Sequence, residues 1–102
     1  MRIDSWNAEI DGPFSETALR RKIEALGFRV TRYVYPPSTY FPRHTHPMDK
    51  MDAVVSGEFR VVLEETEVLL KAGDALFVPA GAVHSAEVMG ERSVVSLDGV
   101  KQ

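Results

Sequence analysis

The sequence predicts an all-β domain, a two-sheet sandwich or small barrel, with one α-helix at its N-terminal end. Two observations carry this. From residue 28 onward the chain is a succession of short apolar runs rich in Val, Tyr and Phe, broken at close spacing by Gly, Pro and Ser. Ahead of them, one segment alone has helical periodicity with its own start and stop signals. The 102 residues suit a single domain. Residues 1–29 form an N-terminal extension with the helix, and residues 30–102 the barrel.

The elements follow in order. Residues 1–12 hold Trp6 among polar residues and stop at Gly12-Pro13. In "FSETALRRKIEALGF", Ser15 is a good N-cap, because its hydroxyl can accept a bond from an orphan backbone N–H of the first turn. Phe14 and Leu19 have the spacing of a hydrophobic staple. Leu19, Ile23 and Leu26 lie at i, i+4 and i+7 on one apolar face, and Gly27 suits the residue after the C-cap. A helix is expected over about 15–26. Its Arg20-Arg21-Lys22 run reads as a solvated face with a Glu16–Arg20 pair, rather than as an anion patch. "FRVTRYVY" is a strand that ends at Pro36-Pro37. "MDAVVSGEFRVVLEETEVLL" divides into three strands at Ser56-Gly57 and Glu65-Thr66, "KAGDALFVPAGAVHSAEV" turns at Gly73-Asp74 and at 79–81, and "RSVVSL" is a last strand. Tyr33, Tyr35, Tyr40, Phe41, Phe59 and Phe77 are expected as core or cavity wall.

Composition removes several classes of function. No apolar run approaches the roughly 20 residues that span a bilayer. The N-terminus has no apolar signal-peptide region, so the expected location is cytoplasmic with no membrane partner. Cysteine is absent, which excludes disulfides and thiol chemistry. A net charge of −3 gives no reason to expect nucleic acid.

The chemistry sits with the histidines. The chain has three, and two of them lie in "RHTHPMDK". In an extended strand His44 and His46 share a face, about 6–7 Å apart at the backbone. That spacing suits neighbouring corners of one metal coordination sphere, though two surface histidines would give the same short pattern. The third, His84, lies in "GDALFVPAGAVHSAEV", where Gly73, Pro79, Gly81 and His84 stand at G-x5-P-x-G-x2-H.

With both motifs in view, the sequence resembles the cupin superfamily from about residue 30 to residue 98. His44, His46 and Gly57 match that family's first motif, G-x5-H-x-H-x3,4-E-x6-G, with Ser38 at the opening glycine. The second motif matches except at its final Asn, where Val88 stands. The resemblance implies a double-stranded β-helix, the jelly-roll cupin barrel, with a divalent transition metal (Zn, Fe, Ni or Mn) held by His44, His46 and His84 in the barrel mouth. His44 and His46 would come from one strand and His84 from a facing strand. The resemblance also implies a homodimer.

The departure is Lys50, which occupies the family's glutamate position. An ammonium cannot ligate a cation. Asp52 shares the parity of Lys50 and is a candidate fourth ligand or cavity residue, while Asp49 would need a bulge to turn inward. If Lys50 faces the cavity, it favours a small anionic ligand such as a carboxylate; if it snorkels, only its stem meets the barrel rim. The function expected is therefore a metal site that acts on or binds a small anionic metabolite, as a dioxygenase or isomerase if it is an enzyme. The alternative is a non-catalytic small-molecule-binding module, or a metal-free one that keeps the histidines as hydrogen-bonding groups.

Overall fold

The computed structural model describes residues 1–102. In chain order the elements are β1 (Arg2–Asp4), α1 (Ala8–Asp11), α2 (Glu16–Ala25), β2 (Phe28–Tyr35), β3 (Tyr40–His44), β4 (Lys50–Ser56), β5 (Glu58–Leu63), β6 (Thr66–Leu70), β7 (Ala75–Val78), β8 (His84–Met89) and β9 (Val94–Lys101). One sheet runs β1-β7-β4-β9-β2 and the other β3-β8-β5-β6, with every pairing antiparallel. This is the expected double-sheet jelly roll.

Period-2 alternation divides the apolar residues into two cores. Between the sheets, Val54, Val61, Leu76, Val78, Val88 and Val94 belong to one buried cluster. On the outer face of the five-stranded sheet, Phe28, Met51, Ala53, Ala75 and Leu97 pack with Leu19 and Ile23 of α2. Full burial of each of those two helix residues contributes about 1.5–3 kcal/mol, which is what seats the helix.

The helix ends form as expected. Ser15 Oγ accepts from the Ala18 N–H at 3.0 Å, and Gly27 follows the C-cap with φ 95°. The surface pairing differs. Glu16 takes Arg32 at 2.8 Å rather than Arg20, whose guanidinium donates to the Val30 carbonyl. Lys22 pairs with Asp4 and Asp11. Two elements have no counterpart in the sequence reading. One is the four-residue helix α1, capped by Asn7. The other is β1, which pairs with β7 and so ties the N-terminal extension into the sheet. No helix is long and apolar enough to cross a membrane.

Two details of strand geometry position the site. Ser38, at the family's glycine position, has φ 69°, the left-handed region that favours glycine. Further on, β3 pairs with β8 as Phe41↔Ala86 and His44↔His84, three residues on one strand against two on the other. The extra residue is a bulge. Without it, Phe41 and His44 would face opposite sides of the sheet. With it, both reach the interior.

Candidate metal centre

The interior changes character along the barrel. On β4 the inward positions read Lys50, Asp52, Val54, and on β9 they read Asp98, Ser96, Val94. One end of the space between the sheets is therefore apolar. The other is a cavity of about 290 Å³ lined by His44, His46 and His84, by Lys50, Asp52 and Asp98, and by an aromatic wall.

The three histidines converge. Their ring centroids lie 4.2 Å apart for His44–His84, 4.7 Å for His44–His46 and 5.0 Å for His46–His84. Each offers a nitrogen within 4.8 Å of the others, the arrangement that three ligands of one ion need. The route differs from expectation in two ways. His46 is not on the strand with His44: β3 ends at His44 and His46 lies in the loop that follows, whose position is fixed by a bond from the Gly81 N–H to the His46 carbonyl at 2.8 Å. His84 is not on a facing strand, but directly opposite His44 on the adjacent strand of the same sheet. An antiparallel pair puts opposed side chains on one face, so the pairing itself joins the two rings.

Two rings are also oriented. His44 Nδ1 lies 2.6 Å from the Pro42 carbonyl and His84 Nδ1 lies 3.0 Å from the Ala82 carbonyl. A carbonyl only accepts, so each Nδ1 carries the proton and each Nε2 keeps a free lone pair. Backbone carbonyls serve metal-binding histidines in this way. Burial lowers the His46 and His84 pKa values, and the Lys50 charge and the neighbouring imidazoles lower them further. Neutral rings are what ligation requires. The donor set therefore fits a divalent transition metal.

Lys50 does not snorkel. Its side chain is only 11% exposed, and Nζ lies 2.7 Å from Asp98 Oδ1 and 4.0 Å from Asp52 Oδ1. Asp52 shares its face, as parity requires. Asp49 stays out of the cavity, because its Oδ1 accepts from the Ala80 N–H at 2.8 Å and ties down the second-motif loop. Asp98 is the group that sequence reasoning missed. The expected last strand ends at Leu97, whereas β9 runs on to Lys101 and carries Asp98 inward on the parity of Ser96. An acid spaced by two from Ser96 was the available signal.

The aromatic wall is a connected cluster. Tyr35 meets Phe41 edge-on at 4.9 Å and stacks on Phe59 at 5.7 Å and on Tyr33 at 5.9 Å. Burial, with the Asp98 and Asp52 charges behind it, pushes the Tyr35 phenol up to about 12. It stays protonated and can donate into the cavity. Tyr40 lies exposed and Phe77 packs on the outer core, so neither joins this wall.

Comparison with known proteins agrees with this architecture. The family model described as "Cupin domain" matches residues 31–99. Among solved structures, KdgF from Halomonas sp. is 25% identical with a TM-score of 0.65, over 74% of this chain and 70% of that one. An RmlC-like cupin from Shewanella frigidimarina is 24% identical with a TM-score of 0.65, over 72% and 65%. A predicted oxalate decarboxylase from Thermotoga maritima is 24% identical with a TM-score of 0.66, over 79% and 72%. No curated protein matches the chain.

Proposed function

The chain belongs to the cupin domain family, and from that premise we propose that it holds one divalent transition metal on His44, His46 and His84 and takes a small carboxylate as its ligand. The observation that carries this is the histidine cluster itself: three rings with nitrogens within 4.8 Å, two of them oriented by backbone carbonyls. When bound, the metal supplies Lewis-acid polarisation of a ligand oxygen. The chain's own groups do the rest. The aromatic wall excludes water from one side, Tyr35 offers a protonated hydroxyl, and Lys50 holds a positive charge opposite the histidines.

Charge favours an anion once the metal is in place. Neutral imidazoles leave a divalent ion uncompensated. Lys50 adds one positive charge, Asp98 offsets it, and Asp52 offsets one more only when ionised. The loaded cavity is thus net positive by about one charge with Asp52 ionised, which one small carboxylate neutralises, and by about two with Asp52 protonated. Emptied of metal, the same cavity is neutral or negative and has no such preference. Anion binding should therefore depend on metal. We further propose a cytoplasmic location, in keeping with the lack of cysteine. A homodimer is also proposed, with Tyr33 and Val34 exposed on the edge strand β2.

Elemental analysis with calorimetry tests the reading. The parent should carry about one metal per chain, and His84→Ala should lose most of it while keeping the fold. Acetate or oxalate should bind the metal-loaded protein and bind far more weakly after chelation. Metal content below a tenth of an equivalent after supplemented growth would refute the site.

A further inference from the structure

β2 is an edge strand, paired with β9 on one side and with no strand on the other. Along an antiparallel ladder, the backbone groups of successive residues point alternately to the two neighbouring strands. The Lys101 N–H donates to the Asp49 carbonyl on the β4 side, and the Gln102 N–H donates to the Gly27 carbonyl on the β2 side. Carried along the unbroken β2–β9 register, this alternation directs the backbone groups of Thr31, Tyr33 and Tyr35 to β9, and those of Val30, Arg32 and Val34 outward. The outward edge is closed at both ends. The Val30 carbonyl already accepts from the Arg20 guanidinium at 3.1 Å. Pro36 has no N–H, and its carbonyl already accepts from the Thr39 N–H and hydroxyl. The stretch left open is Arg32–Val34, centred on Tyr33, where Tyr33 is 44% and Val34 51% exposed. Tyr33 also lines the cavity.

We propose that a second copy of the chain pairs here, β2 antiparallel to β2 about a two-fold axis at Tyr33, and that the partner's Tyr33 covers the mouth of the cavity. The inference rests on the homodimer reading above and gives it an edge and a register. With the axis at Tyr33, each Arg32 lies opposite the partner's Val34, and the two exchange both N–H···O bonds. Val30 then falls opposite the partner's Pro36, which has no N–H to give, but the Val30 carbonyl is already served by Arg20. Other registers do worse. An axis at Arg32 sets like charges directly opposite each other. An axis at Val34 puts Arg32 opposite the partner's Pro36 and leaves the Arg32 carbonyl without a donor. An axis at Thr31 has to displace Arg20 from the Val30 carbonyl. In the Tyr33 register each Arg32 charge stays with its own Glu16 at 2.8 Å. Tyr33 meets its own copy in a non-hydrogen-bonded pair, the closer kind, with Cα atoms about 4.5 Å apart. Opposed side chains share a face, and for Tyr33 that is the cavity face, so the partner's ring joins the aromatic wall beside the stacked Tyr33 and Tyr35.

Three measurements on the full chain test this. Sedimentation equilibrium should give twice the mass of the chain for the parent and a folded monomer for Val34→Lys, because an edge lysine blocks strand pairing. The chain has no cysteine, so a single introduced thiol reports a single contact. Tyr33→Cys should oxidise to a disulfide-linked dimer, since its separation across the axis lies within disulfide range, while Ile10→Cys, 81% exposed on α1, should stay uncrosslinked. Nitration by tetranitromethane, mapped by mass spectrometry, should be slower at Tyr33 in the parent than in Val34→Lys. A monomeric parent overturns this inference together with the homodimer reading. A dimer that survives Val34→Lys, or a Tyr33→Cys that does not crosslink, overturns the β2 pairing and leaves a dimer through another face. Equal nitration of Tyr33 in the two proteins overturns the covering of the cavity. Should Val34→Lys fail to fold, the Tyr33→Cys crosslink decides the pairing.

Discussion

At the scale of single residues, the informative position is 50. A carboxylate there would complete a ligand set; this chain has instead an ammonium held by Asp98 at 2.7 Å. Lys50→Glu puts a third acid beside Asp52 and Asp98 and removes their only cation. Breaking such a pair costs on the order of 3 kcal/mol in a buried site. The chelated variant should therefore unfold at clearly lower temperature than the parent. Metal should then stabilise the variant more than it stabilises the parent, because the new carboxylate joins the histidines. At 100 times its dissociation constant a ligand adds about 2.7 kcal/mol, enough to recover most of the loss. Thermal unfolding with and without zinc reads both effects. If metal stabilises the two proteins equally, the side chain at 50 does not reach the metal.

At the scale of elements, α2 and the outer face of the five-stranded sheet depend on one glycine. A Cβ at Gly99 would meet Phe28 Cβ at 3.0 Å, Ile23 Cγ2 at 3.1 Å and the Met51 carbonyl at 3.3 Å. The conflict here is with neighbours, since Gly99 lacks the left-handed φ of the other glycines. Gly99→Ala should therefore push the helix off β9 and cost about 1–3 kcal/mol by overpacking. The loss should appear in chemical denaturation with metal affinity nearly unchanged, because the helix packs outside the barrel and the histidines lie within it. A variant as stable as its parent would show that the helix can shift at no cost.

At the scale of the whole molecule, opposed titrations shape stability against pH. The folded-state pKa of Asp52 is raised, so its contribution is fully present below the unfolded value of 3.8 and is lost as pH rises through about 6. His46 and His84 are lowered, chiefly by burial, so their contribution is present above the unfolded value of 6.5 and is lost as pH falls through their folded values. Metal-free protein is thus pressed from both sides near pH 6. Asp52→Asn removes the loss on the alkaline side alone. It should be more stable than the parent by on the order of 2 kcal/mol at pH 8, with the advantage shrinking toward pH 4. Unfolding midpoints measured across that range check the slope, and a constant difference would mean that the Asp52 carboxyl is not shifted.

Local signals settled much of this protein before any folding was considered. Period-2 alternation and Gly/Pro breaks marked the main strands, and the Ser15 cap and the Leu19–Ile23 spacing marked the long helix. These hold because they depend on residues a few positions apart. Tertiary structure decided the rest. His44 reaches the cavity only through a bulge in β3, and it meets His84 only because β3 pairs with β8. Parity put Lys50 and Asp52 on one face, but whether Lys50 turned to solvent or inward depended on Asp98, 48 residues away on a strand that pairs with β4. Nor could β1 declare itself: three residues carry no periodicity, and they become a strand only because the edge of β7 is there to pair with. Spacing in the chain fixes which face a side chain takes, but the partner it meets there is set by strand register, which forms only when distant segments pair.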